Sequence, residues 1–410
     1  MPNAFVKSDY LKVFIADLID AMPYLKASKS HFTASDIKGK KPGEVYNFGL
    51  RDSGSPTSGI AITAADRTTV DERKIWLAVR NKKSAVSLNT LESVVDIDQF
   101  DQEIGKTYGL NLGAEVQKDV LGISYFNANV AKVATSNGWS ALAAAIAHQR
   151  AARTGSQLFG YLSPEAEANL SVHSLNNWHF ENSDLVQKFY KEASIGTFHM
   201  TNFAYVTDTP VVSVPANGFG TVTVSAGADA VAPTTSLSGA VDRTALTVSA
   251  LTVAIPAGTP FTIAGAYACD SLGRPLLRTP FSFVVQEDAA VGATKLYVQK
   301  VIVGNTGARN LYHASWNGVG DIAGTLVCQL ANGVDYEVAQ IRTSDTMNWD
   351  NIDLDPVVGG ENTSETFGGV KIQVAKYGNG DARANTTRWD CAYLAGIVDN
   401  RLASLAYIPV

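Results

Sequence analysis

The segment Phe100-Asp101-Gln102-Glu103-Ile104-Gly105-Lys106-Thr107-Tyr108-Gly109-Leu110-Asn111-Leu112-Gly113 carries the clearest local signal in the chain. Apolar residues recur every three or four positions through Phe100, Ile104, Tyr108, Leu112, Val116, Val120, Ile123, Phe126, Val130 and Val133, which is one stripe of an α-helix. This periodicity opens a stretch, Asp96 to Gly155, that is the only long helical run in a largely β sequence. Gly105, Gly109 and Gly113 are spaced by four and fall on one side, each at a cost of up to about 1 kcal/mol against alanine in a helix interior. A strand or loop is therefore expected to pack closely there. A membrane dimer of the GxxxG kind does not fit, because Asp101, Glu103, Lys106, Glu115, Lys118 and Asp119 would have to enter the bilayer.

Working outward toward the amino end, Ser8 and Asp9 start a shorter helix. Leu11, Phe14, Ile15, Leu18, Ile19 and Met22 follow at helical spacing until Pro23 stops it. Such an arm is marginal alone, so its apolar face needs a surface in the same subunit or in a neighbour. Between arm and long helix, Glu44 to Leu50 and Lys74 to Leu91 read as strands of a hairpin. Its long tip, Arg51 to Thr69, is rich in Gly, Ser and Pro. On the return strand Lys74, Arg80, Lys82 and Lys83 interleave with apolar residues and make one locally cationic face. That face is either a solvated strand edge or a charged docking surface.

Toward the carboxyl end, Trp139 to Arg153 reads as a second helix, stopped by Gly155. Gln157 to Leu162 reads as a strand, Ser163-Pro164-Glu165 as the start of another helix, and Asp184 to Glu192 as a further one. At Pro210 the composition shifts to Val, Thr, Ala, Ser and Gly. Strands are expected over Thr221 to Ser225, Ala245 to Ile255, Pro260 to Ala266, Phe281 to Gln286 and Lys295 to Val303, as in a small barrel or sandwich. Residues 208–312 are thus expected to fold alone as an inserted domain. Beyond them, Ile322 to Leu330 reads as a short helix and Val357 to Phe367 as a loop. Val370 to Tyr377 with Arg388 to Val398 reads as a hairpin, and Leu402 to Val410 as a buried terminal strand.

The 410 residues are 46% hydrophobic and 18% charged, enough to build a sizeable core, and the net charge of −6 argues against a broad nucleic-acid-gripping face. Cys269, Cys328 and Cys391 form no CxxC pair, so neither a disulfide framework nor a zinc knuckle is indicated. Asp17 and Asp20 interrupt the first apolar run, so no secretory segment is read, and synthesis in the cytoplasm is expected. Gly318-Val319-Gly320 lacks the βαβ setting of a nucleotide loop. Asp350, Asp353 and Asp355 lack the calcium-loop spacing. His173, His179 and Glu181 match no helical metal pair, and there is no GxSxG or HExxH motif. Nothing in these patterns asks for catalysis.

The order of elements resembles that of the major capsid proteins of tailed bacteriophages with the Hong-Kong-type capsid fold, above all the Salmonella short-tailed phage branch. Four stretches carry the resemblance: Ser8 to Met22 with Pro23; Ile75 to Asn89 running into Asp96 to Gly113; the run from Ala254 through Pro256, Gly258, Pro260, Phe261 and Gly265 to Ala268; and Trp389 to Leu402. It implies an α+β fold with an N-terminal arm (1–37), an extended β-hairpin loop (38–93), a spine helix with peripheral domain (94–135) and an apical α/β domain (136–207). An inserted β-barrel domain (208–312) and an apical and peripheral completion with C-terminal β-strands (313–410) follow.

The same resemblance implies a structural protein without catalytic site, cofactor or metal. It would build hexamers and pentamers of an icosahedral shell around double-stranded DNA, held without sequence-specific contacts and without a membrane. It would work with a portal protein, optionally a decoration protein, and a separate scaffolding protein, since the few residues before the arm leave no room for a fused scaffold. The alternative class is a β-rich adhesin or fibre-like binding protein with residues 211–310 as its head. The residues expected to serve assembly are Leu11, Phe14, Ile15 and Leu18 of the arm, Lys74, Arg80, Lys82 and Lys83 of the hairpin, and Asp229, Asp242 and Arg243. These last three are the only charges in a region, Gly227 to Arg243, that is more charged in relatives. Replacing Leu11, Phe14 and Ile15 by Ser is expected to harm assembly more than folding.

Overall fold

The structure is a computed structural model that describes residues 8–51, 72–89, 97–134, 138–152, 157–177, 197–231, 242–304, 308–358, 360–379 and 384–410. It is mixed α+β, and its long helix α3 (Ile97–Ser124) is preceded by α1 (Ser8–Asp20) and the short α2 (Ala34–Ile37). The apolar stripe continues past Ser124, but the helix does not. At Asn127-Ala128-Asn129 two residues of poor helix propensity meet a competing partner. Ser282 donates its backbone N–H to the Asn129 carbonyl, and the Ala131 N–H donates to the Ser282 hydroxyl at 3.0 Å. Ala131–Val133 (β3) then runs as a strand, and a separate helix, α4 (Gly138–Ala151), follows. Phe126, Val130 and Val133 are therefore not helical.

One sheet is ordered β1-β2-β19-β18-β17, from β1 (Val45–Arg51) and β2 (Glu72–Asn89) to β17 (Glu361–Phe367), β18 (Val370–Asn379) and β19 (Ala384–Ile397), while β16 (Met347–Asn351) pairs off this path with β19. The loop expected over Val357 to Phe367 is thus largely strand. Its Glu, Asn and Thr side chains are tolerated because β17 is an outer strand paired only to β18. The hairpin and the C-terminal strands belong to this same sheet, with Val79 opposite Leu394 and Asn89 opposite Ala384. The long tip of the hairpin lies outside the described residues.

A second sheet is ordered β3-β20-β15-β4-β6-β5, ending on β6 (Thr201–Tyr205) and β5 (Thr197–Phe198), and β7 (Val211–Ser213) also pairs with β15. Its members β4 (Leu158–Leu162), β15 (Asp335–Thr343) and β20 (Ala403–Pro409) form one wall of a core whose other wall is the Trp139, Leu142 and Ile146 face of α4. The terminal strand is buried along its length except for Pro409. Helix α5 (Pro164–Asn177) starts as its sequence demands, with the Ala166 N–H donating to the Ser163 hydroxyl at 2.9 Å. The helix expected at Asp184 to Glu192 lies outside the described residues.

The third sheet is ordered β11-β10-β14-β8-β9-β12, drawn from β8 (Val222–Val231), β9 (Arg243–Val248), β10 (Pro260–Cys269), β11 (Pro275–Val284), β12 (Lys295–Gln299) and β14 (Gly324–Cys328), while the two-residue β13 (Leu311–Tyr312) pairs off this path with β10. Its two ends meet, since Val285 bridges Val298 and the Gln286 N–H donates to the Tyr297 carbonyl at 2.8 Å. Strand β14 replaces the short helix expected over Ile322 to Leu330. It is inserted between β8 and β10, with Gly324 opposite Val224 and Cys328 opposite Phe261, and Leu326 is buried while its neighbours Thr325 and Val327 are exposed. That alternation is period two, but over five residues it is too short to outweigh the apolar run around it.

Candidate assembly surface

The arm lies on its own subunit. Phe14, Ile15 and Leu18 are almost completely buried in the common core with Leu112, Val116 and Val120 of α3. Phe14 and Tyr108 each stack on Trp389 of β19 with centroids 5.5 Å apart. The glycine stripe explains how α1 comes so close. A Cβ on Gly109 would stand 3.0 Å from the Phe14 carbonyl oxygen, and one on Gly113 only 2.6 Å from that of Leu18 and 2.8 Å from Ala21 Cβ. The close neighbour expected as a strand or loop is a helix. Leu11 lies one turn before Phe14 in α1, and its side chain is outside the described residues.

Past Pro23 the chain is tied down further. The Tyr24 hydroxyl donates to Gln340 at 2.7 Å, and the Tyr24 N–H donates to Gln117 of α3. Arg342, fully buried in β15, donates to the Tyr24 and Ala27 carbonyls at 2.6 and 2.8 Å, and its guanidinium lies against the Tyr24 and Tyr161 rings. This cation caps the carbonyl end of the short turn Pro23–Ala27. Sequence reasoning missed it, because one Arg inside a strand-like run carries no signal of its destination.

The four hairpin cations do not share a face. Strand alternation puts Lys74, Arg80 and Lys82 on one side and Lys83 on the other. β1 pairs with residues 72–78 of β2 and β19 with residues 79–89, so among the described residues each half of β2 has a strand partner on one side. Arg80 is only 3% exposed and forms an ion pair with Asp119 of α3 at 3.0 Å. Lys82 reaches the same oxygen at 3.6 Å, and the Tyr393 hydroxyl donates to the other carboxylate oxygen at 2.7 Å. Burial, with Asp119 beside it, pushes the Tyr393 phenol well up, so it stays a donor. Lys74 and Lys83 are exposed.

The remaining candidates sit at the third sheet. Arg243 forms an ion pair with Glu287 at 2.6 Å and lies over the Tyr297 ring at 4.2 Å. Asp242 is paired to Lys300 at 2.5 Å. Asp229 stands opposite Ala245 in the β8–β9 ladder, its side chain outside the described residues. Asp242 and Arg243, offered by the sequence as assembly candidates, have partners within their own chain.

No family model matches the chain, and no curated protein matches it. Solved structures do resemble it. The capsid of Ralstonia phage GP4 is 6% identical, with 93% of this chain and 86% of that chain covered at a TM-score of 0.41. The cyanophage Pam1 capsid asymmetric unit is 9% identical, covering 96% and 92% at a TM-score of 0.40. The mature capsid of bacteriophage PhiM1 is 9% identical, covering 90% and 82% at 0.40.

Among the described residues, β1 and β17 are the outer strands in the order of the first sheet, and each presents an edge. Near β17, Val358 is 98% exposed and Phe367 is exposed, while Leu277, Val291 and Val327 stand exposed on or beside the strands of the third sheet. Among the described residues no three His, Cys, Asp or Glu side chains gather into a metal-sized cluster, and no helix is long and apolar enough to cross a membrane. Burial pushes the Cys269 and Cys391 thiols up to about 12, which keeps them from acting as thiolate nucleophiles at neutral pH. Burial, and then Lys132, lower His148 on α4 from its ordinary value to about 3.

Proposed function

We infer that the chain is a major capsid protein of a tailed bacteriophage, a structural protein of the virion that assembles in the host cytoplasm. In this reading its copies form hexamers and pentamers of a closed shell around double-stranded DNA, with a separate scaffolding protein, a portal and optionally a decoration protein. The third sheet serves as an inserted β-barrel domain. The observation that carries the reading is a nesting of distant segments. The arm lies in the glycine groove of the long helix. The same core takes in the sheet that joins the hairpin strand β2 to the C-terminal hairpin β18–β19. It is the element order that the resemblance to the Hong-Kong-type fold implies, and the outer edges of β1 and β17 are where neighbours would add strands or loops. The net charge of −6 suits a wall that encloses DNA without adsorbing it.

A concentration series of the purified chain, followed by sedimentation and electron microscopy, tests this. Capsomers, open sheets or mixed shells are the expected products of the chain alone, and shells of uniform size the products with a scaffolding protein. Uniform shells from the chain alone would remove the scaffolding part of the proposal. A monomer at every concentration would overturn the capsid reading itself.

A further inference from the structure

Strand β2 loses its partner β19 at Val79, the last residue in register with it, yet β2 continues back to Glu72. On its other side β1 pairs with residues 72–78, and Val79 exchanges hydrogen bonds with Gly43 and Glu44 on that same side. Main-chain groups of a strand alternate between its two edges, so those of Lys74 and Trp76 point away from β1. Among the described residues no strand covers them there. Instead the Trp76 N–H donates to the Asp242 carboxylate at 3.1 Å, and the Lys74 carbonyl accepts from the Lys300 ammonium.

Asp242 and Lys300 come from one place in the third sheet. Arg243 and Gln299 are the last register pair of the β9–β12 ladder, and the next pair along would be Asp242 with Lys300. Their 2.5 Å ion pair continues that ladder by one rung, half-buried beside a small pocket lined by Ile75, Asn310 and Asn400. The carboxylate supplies an acceptor to the Trp76 N–H and the ammonium a donor to the Lys74 carbonyl, the two roles that a partner strand would fill. We propose that this ion pair is a surrogate strand: it occupies the edge of β2 at residues 74 and 76, clamps the hairpin to the third sheet, and blocks that edge from pairing with another chain.

The clamp predicts a local effect. Amide exchange at Trp76, read in the unassembled full-length chain, should accelerate roughly ten- to a hundred-fold in Asp242→Ala and in Lys300→Met, the worth of a hydrogen bond to a charged group. The Leu246 amide inside the β9–β12 ladder should keep its protection. The reversed pair Asp242→Lys with Lys300→Asp restores the charges but presents an ammonium to the Trp76 N–H, so it should not restore protection. Unchanged Trp76 exchange in the single variants, equal losses at Trp76 and Leu246, or rescue by the reversed pair would each overturn the proposal.

Discussion

Two seams hold the distant parts of this chain together, and they are built on opposite principles. Where α1 crosses α3, main chain meets main chain over Gly109 and Gly113, with Phe14, Ile15 and Leu18 sealed beneath. Where the hairpin meets the third sheet, the tips of Asp242 and Lys300 meet the edge of β2. The first seam has no side chain that can swing away, so it opens only if the arm leaves as a body. The second is made by two side-chain tips at a strand edge, so one substitution can remove it. The difference teaches which seam a single side chain can undo: that of the hairpin, not that of the arm.

The largest effect is expected from a cut. The contrast assumes that the sheet carrying Asp242 and Lys300 holds its own shape. A fragment of residues 208–312 lacks β14, which stands between β10 and β8. It should give a collapsed or aggregated product, whereas residues 208–331 should give a dispersed amide spectrum. A dispersed spectrum from the shorter fragment would show that the two halves pair without β14.

Next comes the arm seam. Gly113→Val should destabilise the subunit by more than about 4 kcal/mol, because its Cβ would meet the Leu18 carbonyl and neither helix can yield. Phe14→Ala should cost about 3 to 5 kcal/mol by cavity formation. Urea denaturation of the unassembled subunit reads both. The burial of Phe14 and Ile15 also reverses the expectation for serine substitutions there, which should now damage folding before assembly. Assembly defects with unchanged subunit stability would mean that the arm detaches readily and that the contrast is wrong.

Acid separates the seams only once His148 is accounted for, since it lies in neither. Its folded-state pKa is depressed, so above about 6.5 both folded and unfolded states are neutral and it contributes no slope. As pH falls from there toward 3, the unfolded chain takes up a proton that the folded chain refuses, and stability should fall by about 1.4 kcal/mol per pH unit. His148→Leu should remove that slope from the pH dependence of denaturation. An unchanged slope would mean that the imidazole is hydrated.

The smallest effect has the opposite sign. A Cβ on Gly122, in the same helix as Gly113, meets nothing within 4 Å. Gly122→Ala should therefore stabilise by up to about 1 kcal/mol through helix propensity alone. If Gly113→Ala stabilised equally, the close crossing would be refuted.

The sequence by itself determined what depends on neighbours a few residues apart. It predicted an arm helix that ends before Pro23, the hairpin strands, the C-terminal hairpin, and the need for something close against the glycine stripe. These follow from side-chain periodicity and from the conformational limits of proline and glycine, which act within one or two turns. Tertiary structure alone decided the rest. The stripe through Val130 and Val133 is as periodic as that through Val116 and Val120, but Ser282 and the strand β20 claim the backbone there and make it a strand. Residues 324–328 became a strand because β8 and β10 offered two open edges. Arg80, Asp242 and Arg243 look like surface charges along the chain, and each is neutralised by a carboxylate or ammonium between 39 and 58 positions away. A local pattern states which groups a segment carries; only the folded chain states which distant donors and acceptors remain to satisfy them.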